Sequence, residues 1–254
     1  SFDAALLGAF YGGEMRAVEQ TGRLCSVPHD PALPVYTAWD LGFSDDTGIW
    51  FFQVVRGEIH LLEYYSASGK GMRHYFEQII GKEIENDDWY EKGARLGVDA
   101  KYAEHRQKYT YAMHFLPHDA RAKTLASGGK SIQEMAWLVL GAQRITIVAG
   151  LSVQDGIQAV RNILPRCYFD AEKCDIDGGG IDALKQYQRE WDDRVKCFRD
   201  RPLHDWTSHC ADAFRMLAVA WVMEFKSKEP EKPRFETDRT INELIAAQRR
   251  KREE

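Results

Sequence analysis

The sequence predicts an α/β protein on a mixed sheet: an antiparallel three-strand meander, then parallel strands, flanked by helices. Two observations carry this. Between residues 35 and 65 three β-prone segments follow one another across short polar turns, the spacing of a meander. From residue 72 onward helical and strand-like segments alternate, the pattern of a sheet extended through crossovers.

Each element has its own reason. Residues 1–33 read as a helical lead-in, with a helix over 4–19 and a Gly/Pro-containing connection ending at Pro34. Residues 35–40 form the first strand and 41–46 a polar turn. Residues 49–55 are a second strand, Arg56-Gly57-Glu58 a tight turn, and 59–65 a third strand. The middle strand is so apolar that both of its faces should be covered. A helix is expected over 72–86, then a polar stretch over 87–108 with an apparent insertion at 93–104. His114-Phe115-Leu116 reads as a strand ended by Pro117. Ser131-Ile132-Gln133-Glu134 opens a helix as a capping box. A strand over 144–148, a helix over 153–164 and a short strand over 167–169 come next. Gly178-Gly179-Gly180 makes a turn, and helices are expected over 181–193 and 205–226. In the last helix Ala211, Phe214, Leu217, Ala218, Trp221, Val222 and Phe225 form an apolar stripe. Residues 229–254 hold two prolines and alternating charge, then a short charged segment, and suit a linker and partner-binding tail. The expected division is therefore 1–34 lead-in, 35–228 folded domain and 229–254 tail.

Composition narrows the function classes. Hydrophobic residues at 44% and charged residues at 29% are ordinary for a globular protein. The net charge of −5 argues against a basic nucleic-acid coat, though it does not exclude a nuclease. The five cysteines are scattered with no C-x-x-C pair, which excludes a zinc ribbon and fits free thiols in a reducing compartment. No apolar run approaches the roughly 18 residues of a membrane span. The chain opens Ser1-Phe2-Asp3 without an initiator Met and is expected to be a piece of a longer protein.

The chemistry is in the acids. Asp205, His209 and Asp212 stand at i, i+4 and i+7, one face of a helix. Such a grouping beside an apolar stripe is costly without a compensating cation. Asp40 ends the first strand, and Asp119 follows the 114–116 strand. Gly97-Val98-Asp99-Ala100 can also be read as a strand ending in an acid, so Asp99 competes with Asp119. This order matches the RNase H-like fold, in which acids from the first strand, a later parallel strand and a C-terminal helix converge. The match implies two Mg²⁺ or Mn²⁺ ions held by Asp40, Asp119 and Asp212. Phosphodiester hydrolysis uses such a pair, one ion for the attacking oxygen and one for the leaving oxygen. Asp45 in the turn after Asp40, together with Asp205 and His209, are accessory candidates.

Three motifs carry a more specific likeness. Thr37-Ala38-Trp39-Asp40-Leu41-Gly42-Phe43-Ser44-Asp45 resembles the first nuclease motif of large terminase subunits from tailed bacteriophages. Leu116-Pro117-His118-Asp119-Ala120 resembles the second, and Ser208-His209-Cys210-Ala211-Asp212-Ala213-Phe214-Arg215 the third. Cys210 stands where the family commonly has Gly or Ala. The resemblance covers residues 1 to about 226. It implies an endonuclease cutting concatemeric double-stranded DNA in a viral packaging motor, in the host cytoplasm and outside the finished virion. It also implies a preceding ATPase domain, with the portal and the small terminase subunit as partners.

Basic side chains supply candidate DNA contacts: Arg121, Lys123, Lys130, Arg194 and Lys196. They would position a duplex through its phosphates without reading sequence. Ser127-Gly128-Gly129-Lys130-Ser131 mimics the end of a P-loop, but Thr124 stands where the motif needs Gly. Two rival readings remain: an RNase H-like resolvase or transposase, and a portal-docking module with latent nuclease.

Overall fold

The computed structural model describes residues 8–42, 45–81, 109–123, 129–176 and 179–225. Asp99, the apparent insertion and the charged tail lie outside these residues.

Among the described residues the first elements are α1 (Gly12–Gln20) and the short β1 (Leu24–Cys25). The meander follows as β2 (Val35–Asp40), β3 (Thr47–Val55) and β4 (Glu58–Ala67), antiparallel throughout. Arg56 and Gly57 turn the β3–β4 hairpin with φ of 52° and 85°, as a two-residue loop between twisted strands requires. A π-helical turn over His74–Ile79 stands where the helix was expected to start. Next come β5 (Tyr111–Leu116), a 3₁₀ turn (His118–Arg121) and α2 (Ile132–Leu140). β6 (Ile145–Ile147), α3 (Val153–Ile163) and β7 (Cys167–Asp170) lead to α4 (Ile181–Gln186). A hairpin of β8 (Arg189–Asp192) and β9 (Cys197–Pro202) precedes α5 (Ser208–Ala220). The capping box forms as read: Glu134 N–H donates to Ser131 Oγ at 3.1 Å, and Ser131 N–H donates to the Glu134 carboxylate at 2.8 Å.

The main sheet has seven strands in the order β1-β7-β4-β3-β2-β5-β6. β5 and β6 run parallel to β2, and β7 runs parallel to β4. The central five strands, β4-β3-β2-β5-β6, form the mixed RNase H-like arrangement predicted from the sequence. β3, in the middle, is buried from Thr47 through Gln53. One face carries Trp50, Phe52, Leu61, Phe115 and Phe169 under α3, α4 and α5. The other carries Trp39, Ile49, Phe51 and Leu62 under the π turn and α2.

Two expectations need correction. The lead-in helix is described over Gly12–Gln20, and the segment around it is built into the domain. Phe10, Tyr11, Met15 and Val18 are buried in the core, and Leu24 pairs with Phe169 at the sheet edge. The helix expected over 181–193 ends at Gln186. Tertiary hydrogen bonds capture its backbone: Phe10 N–H donates to Tyr187 O at 2.8 Å, and Ala9 bridges Gln188. Beyond that the chain reverses around Asp192, whose Oδ1 accepts from Arg194 N–H at 2.9 Å, while Lys196 takes the positive φ of 56°. Asp and an αL residue are turn chemistry, and here they outweigh local helix propensity.

Candidate functional site

Asp40 reaches the site by strand alternation. Ala38 packs in the α5-side core while Trp39 packs in the opposite one, so Asp40 faces α5 at the strand's end. α5 is fixed over that end by two devices. Trp50, fully buried on β3, donates its Nε1–H to Cys210 O at 3.1 Å. Gly48, the cross-strand partner of Asp40, leaves space for the first turn of the helix. A Cβ there would lie 2.8 Å from Tyr64 Oη and 3.1 Å from His209 O.

This close approach brings three groups together. His209 Nδ1 lies 3.1 Å from Asp40 Oδ2. Asp212, three residues further along α5, interacts electrostatically with both Asp40 and His209. Burial, then the neighbouring Asp40 charge, push the Asp212 carboxyl up to about 6, against the opposing pull of Arg215. The hydrogen bond to Asp40 holds the His209 imidazole above its usual value, against partial burial. Arg215 Nη2 stands 2.6 Å from Asp212 Oδ1, an i, i+3 ion pair on α5. Arg215 Nε is buried without a hydrogen-bond partner. Beside them opens a cavity of about 160 Å³ lined by Tyr187, Pro202, His204, Ser208, Asp212 and Arg215, with Val153 at its edge.

The other sequence candidates fall differently. Asp205 lies before α5, so the shared helix face holds for His209 and Asp212 only. Its Oδ1 accepts from Thr207 N–H at 2.9 Å and from Thr207 Oγ1–H at 2.6 Å, which closes the turn into the helix. Asp119 is exposed in the 3₁₀ turn beyond β5. β2 and β5 are parallel neighbours paired up to Ala38 and Phe115, which sets Asp119 past the same sheet edge as Asp40. No hydrogen bond or ion pair joins the Asp119 side chain to the Asp40–His209–Asp212 group among the described residues. His118 packs against Gly150. Asp45 is exposed but near: its carboxylate, His204 and His209 offer ligand atoms all within 4.8 Å of one another.

His204 is the residue that sequence reasoning missed. A helix drawn from Asp205 made the acid the helical neighbour of His209. With α5 starting at Ser208, residues 203–207 form a turn, and His204 stands over the site. Its ring centroid lies 5.9 Å from that of His209.

Of the basic candidates, Lys123 pairs with Glu134 at 3.1 Å. Arg121 is exposed on the 3₁₀ turn beside Asp119, and Lys130 precedes the capping box. Arg194 and Lys196 are exposed at the β8–β9 turn, with Lys196 Nζ 3.3 Å from Asp193.

The donor set fits divalent cations. Two carboxylates from separate elements meet beside one imidazole, and burial raises the Asp212 carboxyl even with Arg215 at hand. Hard divalent ions take such oxygen ligands. A sheet ordered in this way, with a C-terminal helix laid over the end of its first meander strand, defines the RNase H-like class.

Within that class the chain shares its fold with a solved large terminase. The large terminase from a thermophilic bacteriophage superposes with a TM-score of 0.54 at 16% identity, over 85% of this chain and 46% of that one. The chain thus spans about half the length of that terminase. The nuclease domain of the P22 large terminase gives 0.45 at 12% identity, over 77% and 85%. The large terminase nuclease of the thermophilic phage G20c with bound magnesium gives 0.42 at 12%, over 82% and 96%. No protein-family model matches the chain, and no curated protein sequence does.

Proposed function

We propose that this chain is the nuclease part of a viral DNA-packaging terminase, a divalent-metal-dependent endonuclease acting on double-stranded DNA in the host cytoplasm. One observation carries the reading. Asp40 from a strand end and Asp212 from a helix meet beside His209, in a fold shared with a large terminase from a thermophilic phage. Asp40 and Asp212 would hold the cations, with Asp119 as the third ligand from the neighbouring strand. Two Mg²⁺ or Mn²⁺ ions would supply Lewis acidity at the attacking and leaving oxygens.

The chain's own residues have defined tasks. His209 orients Asp40 through Nδ1 and fixes which carboxylate oxygen stays free. Arg215 balances part of the Asp212 charge and is placed at the cavity wall, where an anionic backbone would enter. Tyr187, on the same wall, keeps its proton because burial and the Asp212 charge push its ionisation far up. Contacts to the portal and the small terminase subunit belong to the same reading. The test is plasmid cleavage. The protein should nick or linearise supercoiled DNA in Mn²⁺, and EDTA or Asp40→Ala should stop it. Undiminished cutting by Asp40→Ala protein would remove Asp40 from the site.

A further inference from the structure

We propose that Asp45, His204 and His209 form a distinct cation site, selective for nitrogen-seeking transition ions of the zinc and cobalt class over Mg²⁺. The site takes up Asp45 and His209, which stand beside the Asp40–Asp212 pair, and adds His204; it needs neither Asp40 nor Asp212 as a ligand. Its first ground is proximity: the three ligand atoms lie within 4.8 Å of one another, although they come from the β2–β3 turn, the turn before α5 and α5 itself. Bond lengths of about 2.0–2.1 Å place tetrahedral ligand atoms roughly 3.4 Å apart. The donors therefore need to close by an ångström or so. Asp45 and His204 are both exposed, so that movement meets little packing resistance.

The second ground is the Asp40–His209 hydrogen bond. Nδ1 of His209 is engaged by a carboxylate at 3.1 Å, which leaves Nε2 as the nitrogen for a cation. A carboxylate behind a ligating imidazole fixes its tautomer and raises its basicity, the usual support for histidine metal ligands. The third ground is donor chemistry. Two imidazoles and one carboxylate suit zinc, cobalt and manganese, whereas Mg²⁺ prefers oxygen and keeps its waters. Three protein donors leave a fourth position for water or an anionic oxygen, and His204 also borders the cavity that reaches Asp212.

Co²⁺ is the probe, because its visible absorption reports low-coordinate nitrogen ligation without any turnover. Titrating the protein with Co²⁺ in excess Mg²⁺ should give saturable absorption at one equivalent. His204→Ala should weaken binding at least tenfold, as should Asp45→Asn. His204→Cys should restore binding with a thiolate-to-cobalt charge-transfer band that the native protein lacks. Asp212→Asn should leave the Co²⁺ spectrum and affinity unchanged, which separates this site from the carboxylate one. Melting curves in EDTA check that each variant is folded. The proposal is overturned if the native protein shows no such spectrum. It is equally overturned if His204→Ala binds as well as the native protein, or if Asp212→Asn loses Co²⁺ as His204→Ala does.

Discussion

His209 Nδ1 and Asp40 Oδ2, 169 residues apart in sequence, stand 3.1 Å apart and join the first meander strand to the C-terminal helix. This contact gives Asp40 its orientation. Replacing His209 by Ala should leave the fold intact, because the side chains are only partly buried and the bond is worth on the order of 1 kcal/mol. Cleavage of supercoiled plasmid in Mn²⁺ should fall about 10–100-fold, the usual cost of losing an orienting partner. Cutting at the native rate would show that Asp40 needs no support from the helix.

The same contact sets a pH dependence. Asp40 raises the His209 value above its ordinary 6.5, so the protonated form is favoured in the folded state. The resulting stability is fully present below 6.5 and is lost as pH rises through the folded value. Melting temperature in EDTA should therefore decline on the alkaline side of 6.5. Asp40→Asn should flatten that decline, and an unchanged profile would disconnect the pair.

Asp212 governs the window below. Its carboxyl is raised from 3.8 to about 6, chiefly by burial, so the folded state binds the proton more tightly than the unfolded chain. Stability without cations should fall as pH rises from about 4 to about 6, by on the order of 2 kcal/mol after allowance for partial exposure. Asp212→Asn should remove this slope. A divalent cation needs the ionised carboxylate, so Mn²⁺ should raise the melting temperature more at pH 7 than at pH 5. Equal Mn²⁺ stabilisation at both pH values would separate Asp212 from the ions.

Much of this arrangement was legible in the sequence. Alternation placed Asp40 at a strand end, and the helical spacing of His209 and Asp212 set both on α5. The meander and the capping box followed from period and turn chemistry. What sequence could not give came from tertiary contacts. The hydrogen bonds of Phe10 and Ala9 to the segment around Tyr187 ended a helix that local propensity would have continued. The side chain of Asp205, spent on Thr207, removed it from the helix face and left His204 over the site. The first contact spans far more chain than periodicity reads; the second is a local turn bond that helical spacing does not register.

The β8–β9 turn carries two of the exposed basic candidates. Arg194 and Lys196 are exposed there, and the Lys196–Asp193 pair is a surface contact that a phosphate can displace at little cost. If both touch the DNA backbone, the double Ala variant should lower the slope of log affinity against log salt by roughly two, evenly across sequences. Lys123→Ala should change the slope by less than one, because Lys123 is already paired with the capping-box Glu134. An unchanged slope in the hairpin variant would assign its charges to solvent.

Gly48 provides the sharpest test of how the site is assembled. It pairs with Asp40 across the ladder, and a Cβ there would meet Tyr64 Oη at 2.8 Å and His209 O at 3.1 Å. Gly48→Ala must push the first turn of α5 away from β3 or displace Tyr64. Overpacking of this kind costs about 1–3 kcal/mol, a drop of several degrees in melting temperature. Because the carbonyl that is pushed belongs to His209, the Asp40–His209 bond should lengthen and cleavage should fall with stability. Tyr64→Phe removes the nearer of the two obstructing atoms and should be less damaging in the Gly48→Ala background than in the native one. A double-mutant cycle on melting temperature measures that coupling. Strict additivity would mean that the helix, and not the tyrosine, absorbs the added methyl group.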